Sequence, residues 1–281
     1  MKVEKAAGIG FCMGVRRAIE ILEKVAAESG GVETLGAVVH NQQVLRRLAE
    51  IGVRIVDNVS QLKGDIVVVS SHGVGPKVIE EIKSRNIEVV DTTCPFVKRA
   101  QVAARRLAEV GFFTIVFGDV GHPEVKGILG WAGDRGMATQ DAAAFAAVDN
   151  TPRHLGVLSQ TTQVPADFAR FAMEIINYAL VKDSEIRIID TICHDIRRRQ
   201  VDTLALAKES DLVLVVGGQT SANSRHLFEL CAKITQTYLI ENADEIKKSW
   251  LRGKTQIGVT SGASTDEQTI DEVVARLESL V

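Results

Sequence analysis

The chain has 281 residues, 46 % of them hydrophobic and 25 % charged, with a net charge of −3. That is ordinary globular composition, and near-neutral charge without long basic runs, with only 5 % aromatics, argues against a nucleic-acid partner or a base-stacking platform. No apolar run is long enough for a membrane span, and the start, Met-Lys-Val-Glu-Lys, enters a strand with no signal-like segment. This predicts a cytoplasmic protein whose four cysteines are free, catalytic or metal-bound, not disulfide-bonded.

In chain order, a short extended segment leads to Cys12 and a helix over 14–29, then to "LGAVVHN", read as strand plus polar loop, and a helix over 42–51. A strand over 66–70 opens the loop "SSHGV" before a helix over 76–85. "EVVDTTCP" then reaches Cys94 and a helix over 96–110. A strand over 114–118, the loop "GDVGHPEV", a helix, a strand over 155–159, the loop "SQTT" and a helix over 165–180 follow. "RIIDTIC" reaches Cys193 and a helix over 195–209. The chain closes with a strand over 212–217, "GGQTSANS", a helix, a strand over 256–260, "SGAST" and a last helix. Continuous apolar strands between amphipathic helices predict an α/β fold with parallel sheets covered on both faces.

The same phrase is therefore written three times: cysteine, helix, strand, polar loop, helix, strand, polar loop, helix. Long-period self-similarity indicates structurally equivalent units. Three such units can surround a pseudo-three-fold axis, and ligands of parallel sheets gather at the carboxyl ends of the strands. A lone cysteine at a strand end is ordinarily packing. Three at equivalent places point instead to a shared function, whereas Cys231, inside the apolar helical face "LFELCAKI", reads as core. Zinc would want a fourth ligand and close C-x-x-C pairs, which are absent. A [4Fe–4S] cluster takes one thiolate per iron, so three cysteines would leave one iron open as a Lewis acid.

The polar loops supply His40, Asn41, His72, His122, Glu124, Thr161, Ser221, Ala222, Asn223 and Ser264, most of them just ahead of a helix. Backbone N–H groups at helix starts, with imidazole and hydroxyl donors, can bind an anion without a lysine or a P-loop. Glu124 is the one obvious acid among them.

These residues fall within eight segments, "GFCMGVRRAI", "VVHN", "SSHGV", "DTTCP", "GHPEV", "SQTT", "SANS" and "GVTSGAS". Together, in order and over essentially the whole chain, they resemble the signature segments of the 4-hydroxy-3-methylbut-2-enyl diphosphate reductase family. The resemblance implies a trefoil of three α/β domains around an iron–sulfur cluster, here 14–95, 96–193, and 194–281 joined by the N-terminal 1–13. It implies that Cys12, Cys94 and Cys193 are cluster ligands. His40, His72, His122, Ser221, Asn223 and Ser264 would form a diphosphate pocket, with Thr161 near the substrate hydroxyl and Glu124 as proton source. The family often has a serine where Ala222 stands, so one hydroxyl contact to the diphosphate would be missing.

The implied reaction removes an allylic hydroxyl with two electrons and two protons and yields isopentenyl and dimethylallyl diphosphates. Electrons would come singly from an external ferredoxin- or flavodoxin-like carrier, because "GIGFCMG" lacks the G-x-G-x-x-G spacing of a dinucleotide site. Two other readings remain at this stage. A cluster-dependent hydro-lyase would also grip a hydroxyl but consume no electrons. A non-enzymatic iron–sulfur sensor would ordinarily carry a DNA- or partner-binding module, and this chain has no basic recognition helix.

Overall fold

Runs of β-branched residues form the strands. In the computed structural model, which describes residues 1–39, 41–133, 135–147, 152–180 and 184–280, twelve strands build three four-stranded sheets. The first contains β2 (Val32–Leu35), β3 (Val53–Val56), β4 (Ile66–Val69) and β5 (Glu88–Asp91) in the order β3-β2-β4-β5. The second contains β6 (Phe113–Phe117), β7 (Gly136–Thr139), β8 (His154–Ser159) and β9 (Glu185–Ile188) in the order β7-β6-β8-β9. The third contains β10 (Leu212–Val216), β11 (Gln236–Ile240), β12 (Gln256–Ser261) and, from the start of the chain, β1 (Lys2–Lys5). Its order, β11-β10-β12-β1, repeats the other two, and β1 pairs parallel to β12 with Lys2 opposite Gln256. All pairings in the three sheets are parallel.

Ten α-helices separate the strands among the described residues: α1 (Met13–Ser29), α2 (Gln42–Glu50), α3 (Pro76–Ser84), α4 (Pro95–Glu109), α5 (Pro123–Trp131), α6 (Ala142–Ala146), α7 (Pro165–Leu180), α8 (His194–Glu209), α9 (Ala222–Ala232) and α10 (Glu267–Ser279). Alternate residues of each central strand feed opposite faces. In the second sheet, Ile115, Leu155 and Val157 pack against Phe168, Phe171 and Ile175 of α7. Val116 and Leu158 pack against Ala104 and Leu107 of α4 and Ile128 of α5. In the third, Leu214 and Val259 meet Val273 and Leu277 of α10, while Val213 and Val215 meet Leu227 and Cys231 of α9. Cys231 is a core residue, as its apolar helical context predicts.

The chain divides into two compact units. Met1–Ile19, Val39–Ile51 and His194–Val281 make the first, which holds the third sheet. Glu20–Val38 and Gly52–Cys193 make the second, which holds the other two sheets. The predicted strands at 66–70, 114–118, 155–159, 212–217 and 256–260 form within one residue at each end. "LGAVVHN" does not: the strand there is the preceding "VETL", and Val38 and Val39 are buried in coil.

Within the second unit, α5 turns a glycine face to the segment that follows β4. A Cβ at Gly130 would lie 2.8 Å from Gly75 Cα, and one at Gly127 would lie 3.0 Å from Gly73 O. Trp131 Nε1 donates to Val74 O at 3.0 Å across the same seam. Gly130→Ala would gain about 1 kcal/mol in helix propensity. Backbone on the other side cannot rotate away, however, and overpacking costs about 1–3 kcal/mol. The variant is expected to unfold at lower denaturant concentration than the parent; an unchanged or higher midpoint would show that α5 can slide off the seam at no cost.

Candidate active site

Every cysteine of the repeat stands just before a helix, and each is tied to a polar loop in the same way. Cys94 N–H donates to Ser71 O, Cys193 N–H to Thr161 O and Cys12 N–H to Ala263 O, all at 3.0 Å. Ser71, Thr161 and Ala263 lie in the loops after β4, β8 and β12, the inner neighbours of the edge strands β5, β9 and β1 that lead to the cysteines. All three thiols are outside any disulfide. Cys12 and Cys94 keep part of their surface exposed, and Cys193 is buried. Although part of Cys12 reaches solvent, burial pushes its thiol up, opposed by the N–H of Val15 and by Arg199. Among the described residues no group of three His, Cys, Asp or Glu side chains is placed to hold a single metal ion.

In the second unit the loops after β4, β6 and β8 assemble an acid and two imidazoles. His122 caps α5: its Nδ1 accepts the Glu124 N–H at 3.2 Å, so the ring proton of the neutral imidazole sits on Nε2. The His72 and His122 rings meet edge to face at 5.3 Å. His72 Nδ1 lies 3.5 Å from Ser70 Oγ. Glu124 is 2 % exposed and held by one residue: Thr161 N–H donates to Oε1 at 2.6 Å and Thr161 Oγ1 pairs with Oε2 at 3.0 Å. Burial pushes the Glu124 carboxyl up to about 7 against the pull of both Thr161 bonds. Desolvation wins because no cation is among the groups acting on it, so a proton is readily held near neutral pH.

In the first unit Ser221 caps α9, its Oγ accepting the Ser224 N–H at 3.4 Å. Ala222 opens the helix, and Asn223 is 4 % exposed with both side-chain amide atoms unpartnered among the described residues. Buried amides are nearly always hydrogen-bonded, so this amide is arranged for a partner that the described residues do not supply. Ser264 is buried in the loop after β12, beside Ala263. Asn41 caps α2 by accepting the N–H of Gln43 and Val44. His40 lies outside the described residues.

Gln160 went unmarked as a site residue although it sits in the quoted "SQTT". Its Oε1 accepts Asp119 N–H at 3.1 Å and Gln163 Nε2–H at 3.1 Å, which joins the loop after β6 to the loop after β8. The signal was an amide beside a strand end in a polar loop, where it could equally have been a solvated side chain.

The LytB protein family model matches residues 3–278. The chain is similar to 4-hydroxy-3-methylbut-2-enyl diphosphate reductase of Dehalococcoides mccartyi, 62 % identical over 280 residues that cover 100 % of this chain and 99 % of that protein. Among solved structures it resembles (E)-4-hydroxy-3-methyl-but-2-enyl diphosphate reductase, the terminal enzyme of the non-mevalonate pathway, with TM-score 0.72 at 33 % identity over 99 % of this chain and 100 % of that one. It also resembles the E-1-hydroxy-2-methyl-but-2-enyl-4-diphosphate reductase from Plasmodium falciparum, with TM-score 0.91 at 25 % identity over 97 % of this chain and 86 % of that one.

The Glu124 carboxyl is raised from an ordinary 4.5 to about 7 on folding. Its protonated form therefore favours the folded state fully below about pH 4.5, and that contribution is lost as pH rises through about 7. Glu124→Gln keeps both Thr161 bonds, with the Thr161 hydroxyl turned to accept, and removes the titration. The thermal midpoint of the variant relative to the parent should thus rise between pH 5 and pH 8. Parallel pH profiles for the two proteins would show that Glu124 does not titrate in this window.

Proposed function

The chain belongs to the LytB protein family, and on that premise we propose that it reduces 4-hydroxy-3-methylbut-2-enyl diphosphate to isopentenyl and dimethylallyl diphosphates. The allylic C–OH bond is cleaved with two electrons and two protons, and the oxygen leaves as water. The observation that carries this reading is the buried Glu124–Thr161 pair: a carboxyl that holds a proton near neutral pH, beside a loop with imidazole donors.

Cys12, Cys94 and Cys193 would hold a [4Fe–4S] cluster, which supplies an open iron as Lewis acid for the hydroxyl and a store for electrons delivered one at a time. A ferredoxin- or flavodoxin-like carrier would deliver them. His122, with Nδ1 engaged by Glu124 N–H, offers Nε2–H to the diphosphate, and His72 lies beside it. The Asn223 amide, Ser221 and Ser264 would complete the anion pocket together with His40. Binding energy from the diphosphate positions the reacting end of the substrate. Glu124, when protonated, donates to Thr161 Oγ1 and frees the Thr161 hydroxyl proton to point away from the pair, so the two act as a short relay toward the leaving oxygen. Ala222 gives the pocket a methyl where a second serine would offer a hydroxyl, a difference of about 1 kcal/mol. The division into three domains, 14–95, 96–193, and 194–281 with 1–13, their trefoil arrangement and a cytoplasmic location belong to the same proposal. No helix of the described residues is long and apolar enough to cross a membrane.

Anaerobic single-turnover reduction tests this function. Wild-type protein should consume two electrons per diphosphate converted, and conversion without reductant would make it a hydro-lyase instead. Glu124→Gln should bind substrate nearly normally and lower kcat by about 10²–10⁴, the usual scale of general acid catalysis. Turnover within a few-fold of the parent would leave Glu124 a helix-start residue.

Serine at Cys12, Cys94 or Cys193 should abolish iron retention. Serine at Cys231, whose thiol is buried in the core and pushed up to about 12, should keep the iron and cost about 1–3 kcal/mol of stability. Iron analysis with denaturant titration separates the two classes, and iron loss confined to the Cys231 variant would refute the ligand assignment.

A further inference from the structure

Helix α8 starts directly after Cys193, and Arg199, in its second turn, is 5 % exposed. Its Nη2 donates to Gly10 O at 2.8 Å and its Nη1 to Ser261 O at 3.1 Å. Gly10 N–H in turn donates to Ser261 Oγ at 3.0 Å, and Gly10 holds a φ of +91°, which only glycine adopts without strain. The residue two places before Cys12 is thus fixed through both its N–H and its carbonyl. A looser version recurs one repeat earlier: Arg99, five residues after Cys94, points Nη2 at Asp190 O and Ile192 O, 3.5 and 3.4 Å away, in the loop that ends at Cys193. In both cases the helix that begins at one cysteine sends an arginine to the carbonyls ahead of another.

We propose that Arg199 is a positioning residue for the thiolate-bound centre. It locks the Cys12 loop in its ligating shape and sets a permanent positive charge beside it, so that the reduced, more negative state of the centre is favoured. An arginine suits the task because its charge does not titrate and its planar fork reaches two carbonyls at once. Burying a charge without such partners would be prohibitive, and here the carbonyls of Gly10 and Ser261 supply them. Each one-electron reduction, with dithionite as donor, adds one negative charge that the guanidinium stabilises across a low-dielectric interior.

The inference rests on the cluster ligation proposed above, so the test has one arm that needs no cluster. In the cluster-free protein, amide hydrogen exchange over residues 6–12 should be about tenfold faster in Arg199→Met and in Arg199→Lys than in the parent. Unchanged exchange in both would overturn the locking role whatever the centre is. In the reconstituted protein, an electron-paramagnetic-resonance redox titration should show the reduced-to-oxidised ratio at fixed potential lowered about tenfold in Arg199→Met, about 59 mV for one electron. Arg199→Lys, which keeps the charge and loses the fork, should stay within about threefold of the parent. Equal potentials for Arg199→Met and the parent would overturn the electrostatic role. Should Arg199→Met fail to fold, Arg199→Lys decides alone: faster exchange with a parental potential supports the proposal, and parental exchange or a Met-sized fall in potential overturns it. Loss of iron from the Cys12, Cys94 and Cys193 variants but not from Cys231→Ser, with parental exchange in the Arg199 variants, would fault this inference and leave the cluster standing.

Discussion

Parallel pairing is the constraint on which the rest depends. When all four strands of a sheet run the same way, the loops that leave their carboxyl ends share one edge. A cysteine just beyond the outer strand then falls level with the polar loop of its inner neighbour. The backbone records this three times, in the 3.0 Å bonds from Cys12, Cys94 and Cys193 to Ala263, Ser71 and Thr161. The Cys12 case is informative because its two partners lie at opposite ends of the chain. The pairing of β1 with β12 brings Cys12 to its loop, so the N-terminal strand is as much part of the site's construction as the last one.

A second constraint acts where the first two sheets meet inside one unit. The edge-to-face contact of His72 and His122 requires the loops after β4 and β6 to approach closely, and side chains larger than hydrogen would hold them apart. Gly75, Gly127 and Gly130 remove that obstacle, the last two at the conformational cost glycine carries inside a helix. The same closure buries Glu124 and leaves Thr161 as its donor, so the rise of its carboxyl to about 7 is a consequence of packing. Thr161 is bound on both sides: its N–H and hydroxyl serve Glu124, and its carbonyl takes the Cys193 N–H. Acid and cysteine are thus two bonds of one residue apart, and a shift in the Cys193 loop would be felt at the carboxyl.

What the sequence made legible follows from the strength of each local signal. "IVVVS", "TIVFG" and "LVLVVG" can hardly be anything but buried parallel strands, and Pro76, Pro95, Pro123 and Pro165 mark helix starts, where a missing N–H costs nothing. The strand "VETL" was hidden because its Glu33 is buried by specific partners, accepting the N–H of Lys63 and Gly64 and pairing with Arg54, while the apolar Val38 and Val39 beyond it stay in coil. A periodicity argument must take a glutamate as exposed and two valines as strand. Arg199 was hidden for the converse reason. "RRRQ" at a helix start reads as a solvated face, and only the fold shows that the third arginine turns inward.

The Glu124–Thr161 pair and the start of α9 differ in how their buried polar groups are satisfied, and the difference bears on how a ligand would be recognised. Glu124 and Thr161 complete one another, so this pair is set before anything binds. Asn223 and Ser224 do not: their side-chain polar atoms are buried and unpartnered among the described residues, and Gly217 and Gly262 leave just enough room for the Ser224 hydroxyl between them. A buried polar group without a partner costs about 1–3 kcal/mol, and a ligand that supplies the missing bonds recovers it. A diphosphate, rich in acceptors, can satisfy the Asn223 amide N–H, whereas an allylic alcohol without phosphate cannot. Under the proposed function, discrimination against the bare alcohol would then come from protein groups left unsatisfied as well as from lost attraction. Under the same proposal, a chain with no lysine-bearing phosphate loop, and with a methyl at Ala222, would still select an anionic substrate.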